Sequence, residues 1–329
     1  MLRPSPDARQ PLLSFLPQLR LNRIVVGTIC CIVAALGYTG VDICVRVLTF
    51  RCDRVLLLLV KESVAVVLAG AWLAHQWRRR TLAPIGWRHA LALMAVGTLT
   101  QLAANLPFIW AMAIVGLAVS VTVTLGTNLI ASAVLSRVFL REQVSRRSAV
   151  AIGLLTGSVM LLTFGAERVA ESMPPAAAVS HGTLWVLLAV AAVCGAGIVY
   201  GLLSVAIRRA STDRVPLGFT AFIVPAMAVV WLGPVGLWRV GLSGVSAVAV
   251  SDLLLMLLCG LLNLVAYVAI IKGLELTSVV HANVLSASQV AMGSVAGILL
   301  FSEAPSAALV VGVAMTIAGM VLIDHRNGA

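Results

Sequence analysis

Beyond residue 23 the chain is a succession of apolar runs, separated by short clusters of Arg, Gly, Pro and acidic residues. A hydrocarbon core of about 30 Å takes roughly 20 helical residues to cross, so each run predicts a membrane-spanning helix. The pattern predicts ten, near 24–45, 55–74, 90–113, 117–137, 148–164, 183–206, 217–238, 252–271, 277–301 and 306–323. These spans leave no room for a separate soluble domain.

Composition agrees. The 329 residues are 61% hydrophobic and 11% charged, whereas soluble domains carry about a quarter charged residues. A water-soluble fold, a disordered chain and a collagen-like repeat are thereby excluded. The formal net charge of +11 would suggest a nucleic-acid partner on a soluble domain. Here the basic residues lie between the apolar runs and concentrate on alternate loops: Arg78, Arg79 and Arg80, then Arg137, Arg141, Arg146 and Arg147, then Arg208, Arg209 and Arg214. The opposite side takes Arg46, Arg51, Arg54, Arg168 and Arg239. Positive residues mark the cytoplasmic side, so an inner (plasma) membrane protein with both termini cytoplasmic is expected, with no nucleic-acid partner.

Residues 1–23, with Pro4, Pro6, Pro11 and Pro17 among four arginines, read as a cytoplasmic N-terminal segment rather than a cleaved signal peptide. Cys30, Cys31, Cys44, Cys52, Cys194 and Cys259 show no metal-ligand or paired spacing and read as packing residues.

Sliding the chain on itself by about 161 residues brings Phe139-Leu-Arg-Glu142 onto Leu300-Phe-Ser-Glu303, Tyr38 close to Tyr200, and Asn128 onto Gln289. The reading is an all-α polytopic membrane protein of two five-helix repeats, 24–164 and 183–324, joined by an extracytoplasmic loop at 165–182. Five is odd, so the second copy is inverted, an arrangement in which two halves exchange inward- and outward-open shapes around a central site.

The stretches Gly195-Ala-Gly-Ile-Val-Tyr-Gly-Leu-Leu-Ser-Val-Ala-Ile-Arg-Arg209, Lys272-Gly-Leu-Glu-Leu-Thr-Ser278 and Phe301-Ser-Glu303, with Pro216, Thr220, Gly312 and Gly319, carry a resemblance. The chain resembles the EamA-type transporters of the drug/metabolite transporter superfamily from about 24 to 323. It departs from them at Thr127-Asn128 and Ser288-Gln289, where the family often has proline. The resemblance implies a secondary transporter of metabolites or drug-like solutes, often an exporter, with no cofactor.

Ionisable groups inside a span cost at least about 2.5 kcal/mol, so each calls for a partner, a cavity or a function. Asp42 and Arg46 are four apart on the first span, on one face with Tyr38. Lys61 and Glu62 lie early in the second span; as sequence neighbours they point about 100° apart, so each is expected to pair across to the first helix, Lys61 with Asp42 or Glu62 with Arg46. Asp42, Lys61 and Glu62 are the candidate coupling residues. Gln101 and Asn105 precede Pro107, whose ring clashes with the carbonyl of Ala103; Phe108 and Trp110 follow as apolar walls.

The fourth span carries a stripe at i+4 spacing, Ser120, Thr124, Asn128, Ser132 and Ser136; small polar stripes ordinarily pack helices together. Asn128 and its counterpart Gln289 are expected to face a cavity, as are Tyr200, Ser204, Asn263 and Tyr267. His281 reads as an interfacial donor, and Glu142 and Glu303 as caps or bridges between helices. The fifth and tenth spans, poor in polar groups, are expected at the periphery, where a homodimer face would form.

No nucleotide-binding, hydrolase or zinc motif is present, and the expected function is not enzymatic. The expectation is a permease binding a small molecule within the bilayer. A facilitative exchanger of the nucleotide-sugar type would need a basic cavity, and a non-transporting scaffold or membrane enzyme would show its central polar groups saturated by one another.

Overall fold

A computed structural model describes residues 10–48, 51–80, 85–142, 146–170, 183–246, 248–301 and 307–322. The helices are α1 (Gln10–Leu48), α2 (Arg54–Arg78), α3 (Trp87–Leu99), α4 (Leu106–Leu135), α5 (Arg146–Ala170), α6 (Thr183–Thr212), α7 (Leu217–Ser246), α8 (Val250–Leu276), α9 (Val279–Ser286), α10 (Ser288–Phe301) and α11 (Ala307–Leu322). A π-helical turn at Thr100–Asn105 joins α3 to α4, and a second, Ser136–Leu140, follows α4. All regular structure among the described residues is helical.

Among the described residues seven stretches are long and apolar enough to cross a membrane: Arg23–Leu48, Arg54–Arg78, Trp87–Met112, Val123–Leu140, Leu184–Thr212, Leu217–Gly236 and Val250–Leu276. The other expected spans fare differently. The fifth is a helix, but it runs on to Ala170, past the end expected for it. The ninth is broken at Ala287 into α9 and α10, and the tenth is the 16-residue α11. At the front, α1 starts at Gln10, so part of the expected leader is helical; Pro11 sits in the first turn, where its missing N–H loses no helical bond. Glu303 lies outside the described residues.

Helix ends follow from local chemistry. Asp53 caps α2, its Oδ1 accepting from the N–H groups of Val55 (2.9 Å) and Leu56 (3.2 Å). Ser278 caps α9 through the N–H of His281 (3.2 Å). Arg80, Arg141 and Arg214 follow the ends of α2, the second π-turn and α6 with φ of 54°, 55° and 61°, each turning the chain out of its helix.

The principal packing pairs are α4 with α6, α1 with α8, α5 with α11 and α2 with α7. Small residues permit the closest of these. A methyl added at Gly197 would stand 2.5 Å from the Thr124 carbonyl oxygen, and one at Gly201 3.0 Å from the Ser132 nitrogen, so α6 lies directly against the polar stripe of α4. Ser120, Thr124, Asn128, Ser132 and Ser136 are all buried there. Leucine, isoleucine and valine on the far faces of α1, α2, α6 and α8 stay exposed, as a lipid-facing surface requires.

Ion pairs tie the helices at both ends of the bundle. At one end Glu142 meets Arg208 (3.4 Å) and His89 meets Asp213 (2.8 Å); at the other Arg51 meets Asp252 (3.3 Å) and Asp53 meets Arg239 (3.2 Å).

Candidate functional site

Between the helices lies a cavity of about 230 Å³. Tyr38, Asp42, Lys61, Glu62, Gln101, Asn105, Asn128, Tyr200, Ser204, Asn263, Tyr267 and Gln289 line it, with Phe108, Thr124, Asn283 and Ser286 and a wall of Val, Leu and Ile. Of the residues singled out for this role in the sequence, Trp110 alone is elsewhere. It packs edge-on against Trp185 of α6, ring centroids 6.2 Å apart. Phe108 and Trp110 are two residues apart and point about 200° apart on a helix, so both cannot wall one cavity.

The π-turn Thr100–Asn105 shapes one side. Proline at 107 offers no N–H to the carbonyl four residues back, and a widened turn directly before it accommodates the ring. Gln101 on this turn donates from Nε2 to the Val224 carbonyl (3.3 Å), Asn105 Nδ2 donates to Gln101 Oε1 (2.7 Å), and the Tyr200 hydroxyl donates to Asn105 Oδ1 (2.5 Å). One relay thus links α7, the π-turn and α6.

A second relay centres on Asn283, which the sequence reading passed over. Its Oδ1 accepts from Asn128 Nδ2 (3.3 Å) and from the Ser204 hydroxyl (3.3 Å). The available signal was a lone carboxamide inside the apolar run Val279–Leu285. Pairing Asn128 with Gln289 passed it by, because that register assumes one continuous ninth span where the chain breaks at Ala287. On the other side of the cavity Gln289 Nε2 donates to Asp42 Oδ2 at 2.5 Å.

The charged residues pair otherwise than expected. Lys61 Nζ lies 2.9 Å from Glu62 Oε1, and both side chains are largely buried. Backbone direction alone forbids this contact; the flexible lysine stem folds back and allows it. Among the described residues Asp42 therefore has no ion-pair partner, and Gln289 is its hydrogen-bond partner. Three buried polar atoms of the lining are left without a partner among the described residues: Asn128 Oδ1, Asn283 Nδ2 and the Tyr267 hydroxyl.

His281 is buried between helices, its Nε2 3.1 Å from the Thr28 hydroxyl. Glu142 does bridge helices. One oxygen meets Arg208 and the other accepts from the Val279 N–H (3.2 Å) at the start of α9, while Arg208 also donates to the Leu274 and Glu275 carbonyls (2.9 Å each) that end α8. Burial lifts the Glu142 carboxyl above the usual carboxylate range, against the opposing pull of Arg208 and the Val279 N–H. Among the described residues no group of His, Cys, Asp or Glu is placed to hold a metal ion.

Residues 177–323 match the model of the EamA-like transporter family. No curated protein matches the chain. A solved structure described only as "Crystal structure of protein" has the same overall fold, with a TM-score of 0.69 at 16% sequence identity over 90% of this chain and 94% of its own. The apolar helices make this chain a multi-pass membrane protein, and its second half, residues 177–323, is similar to the EamA-like transporter family.

Proposed function

We infer that this protein is an inner-membrane secondary transporter that moves a small organic solute through the cavity by alternating access. The observation that carries the reading is a cavity inside an apolar helix bundle whose lining mixes three charged side chains with carboxamides and tyrosines, several with unpaired polar atoms. In a packed scaffold such groups would be costly unless satisfied by one another. The family match points the same way.

Ten spans in two inverted repeats, 24–164 and 183–324, account best for the packing. Under an exchange of halves the α1–α8 contact becomes that of α6 with α3, the α4–α6 contact becomes that of α1 with α9 and α10, and the α2–α7 and α5–α11 pairs map onto themselves; all of these contacts are present. The polar groups echo it. Gln289 reaches Asp42, and its counterpart Asn128 reaches Ser204, the counterpart of Asp42, by way of Asn283. The arginine-capped end would face the cytoplasm, with both termini there. A homodimer would form through α5 and α11.

A nucleotide-sugar exchanger is disfavoured by charge: among the described residues Lys61 is the one cationic side chain in the lining, and Glu62 already contacts it. Proton coupling falls to Asp42, since Glu62 is engaged.

The test is flux in proteoliposomes. Solute counterflow that depends on the protein, and is lost in Asn128→Leu and Tyr200→Leu, is the expected result. Purified, folded protein that binds solutes yet moves none across the bilayer would overturn the transport reading. Flux unaffected by a pH gradient and by Asp42→Asn would remove the proton.

A further inference from the structure

We propose that the cavity selects a small primary ammonium compound that also carries a neutral oxygen acceptor, such as an amino alcohol or an amino-acid amide, and rejects zwitterions and anions. The proposal rests on the transport reading for the site's purpose, but its chemistry follows from the lining. Counting Asp42, Glu62 and Lys61, the cavity holds one more negative than positive group when all are ionised. Because Lys61 contacts Glu62 at 2.9 Å, the carboxylate left without an ion-pair contact among the described residues is Asp42, steadied through one oxygen by Gln289. Among the described lining residues a ligand carboxylate would meet no cation other than the Glu62-bound Lys61, and it would be repelled by Asp42.

Aromatic composition sharpens this. The chain has three tyrosines, and all three, Tyr38, Tyr200 and Tyr267, line this cavity beside Asp42. A carboxylate among aromatic rings is the chemistry that recognises alkylammonium groups. The unpaired atoms then distinguish an ammonium bearing N–H from a quaternary one. Asn128 Oδ1 is an acceptor without a donor, which a second ammonium N–H fills; Asn283 Nδ2 is a donor without an acceptor, which a ligand hydroxyl or carbonyl oxygen fills. A volume of about 230 Å³ lies below the ~300–1,000 Å³ of drug-sized sites, so the solute is small.

A matched probe series tests this on the full-length protein: leucinol, leucinamide, leucine and N-acetyl-leucine, each titrated calorimetrically in detergent and each offered for counterflow in liposomes. Leucinol and leucinamide are expected to bind at least tenfold more tightly than leucine, with N-acetyl-leucine weakest. Asp42→Asn retains an acceptor for Gln289 and is expected to keep the fold while abolishing that preference. Asn128→Asp, which adds a second carboxylate, is expected to widen it. Leucine or N-acetyl-leucine binding as tightly as leucinol, or an Asp42→Asn variant with unchanged ammonium affinity, would overturn the proposal. The two readings fail separately: ammonium binding without flux sinks transport and leaves this selectivity standing, whereas flux of N-acetyl-leucine alone sinks the selectivity and leaves transport standing.

Discussion

The ammonium of Lys61 lies 2.9 Å from a carboxylate oxygen of Glu62, its immediate neighbour in sequence. The contact lies within α2, and it leaves Asp42 without an ion-pair contact among the described residues. Removing one partner of a buried pair typically costs about 3–5 kcal/mol, because the other charge stays buried alone. Glu62→Gln is therefore expected to lower the thermal stability of the detergent-solubilised protein strongly, and Lys61→Met with Glu62→Gln together to recover most of the loss. Additive effects of the two substitutions would show that the pair is not coupled.

Close packing of α6 on α4 gives a second expectation. Gly197→Ala places a methyl 2.5 Å from the Thr124 carbonyl oxygen, and backbone cannot yield as a flexible side chain can. A loss of about 1–3 kcal/mol is expected from overpacking. At Gly195 an added methyl meets nothing within 4 Å, so Gly195→Ala is the control and should leave the melting temperature almost unchanged. Equal effects at the two glycines would contradict this packing.

Pro107 shapes the cavity without lining it. Pro107→Ala restores an N–H for the Ala103 carbonyl and removes the need for the widened turn. In a relaxed α-helical register Gln101 and Asn105 rotate away from Val224 and Tyr200, their partners in the first relay. Solute affinity should fall several-fold while stability changes by about 1 kcal/mol or less. Unchanged affinity would mean that the π-turn is incidental to the site.

The Glu142–Arg208 contact carries a pH signature. Glu142 ionises above the usual carboxylate range because burial outweighs the help of Arg208 and the Val279 N–H. A carboxyl raised in the folded state contributes stability that is present at low pH and lost as pH rises through its folded value. The stability of the wild type relative to Glu142→Gln should thus be highest below the ordinary value of 4.5 and decline above it. A difference that grows with pH would show Arg208 to outweigh burial. Arg208→Ala should cost about 2–4 kcal/mol, since it strips a partly buried carboxylate and the two α8 carbonyls of one donor.

Much of this was legible in the chain. Asp42, Lys61, Glu62, Asn128 and Gln289 declared themselves because polar residues inside apolar runs need a reason to be there. The site was less so where one residue's neighbours depend on another helix. Trp110 looked like a cavity wall from its proximity to Phe108, until the helical rotation between them carried it to Trp185. Asn283 was passed over because the register that pairs Asn128 with Gln289 presumes a continuous ninth span, whereas the chain breaks at Ala287 and both Asn283 and Gln289 line the cavity.

That apolar helices form, roughly where they begin and end, and which side chains need partners can be read from the chain alone, because hydropathy and helical period are local properties. The tertiary structure alone decided who partners whom. Side-chain reach let Lys61 find Glu62 against the direction of the backbone, and the rotation and breaks of neighbouring helices selected which polar groups were satisfied. Among the described residues Asn128, Asn283 and Tyr267 were thereby left with unmet bonding capacity around one cavity, a property of the assembled bundle that no single helix contains.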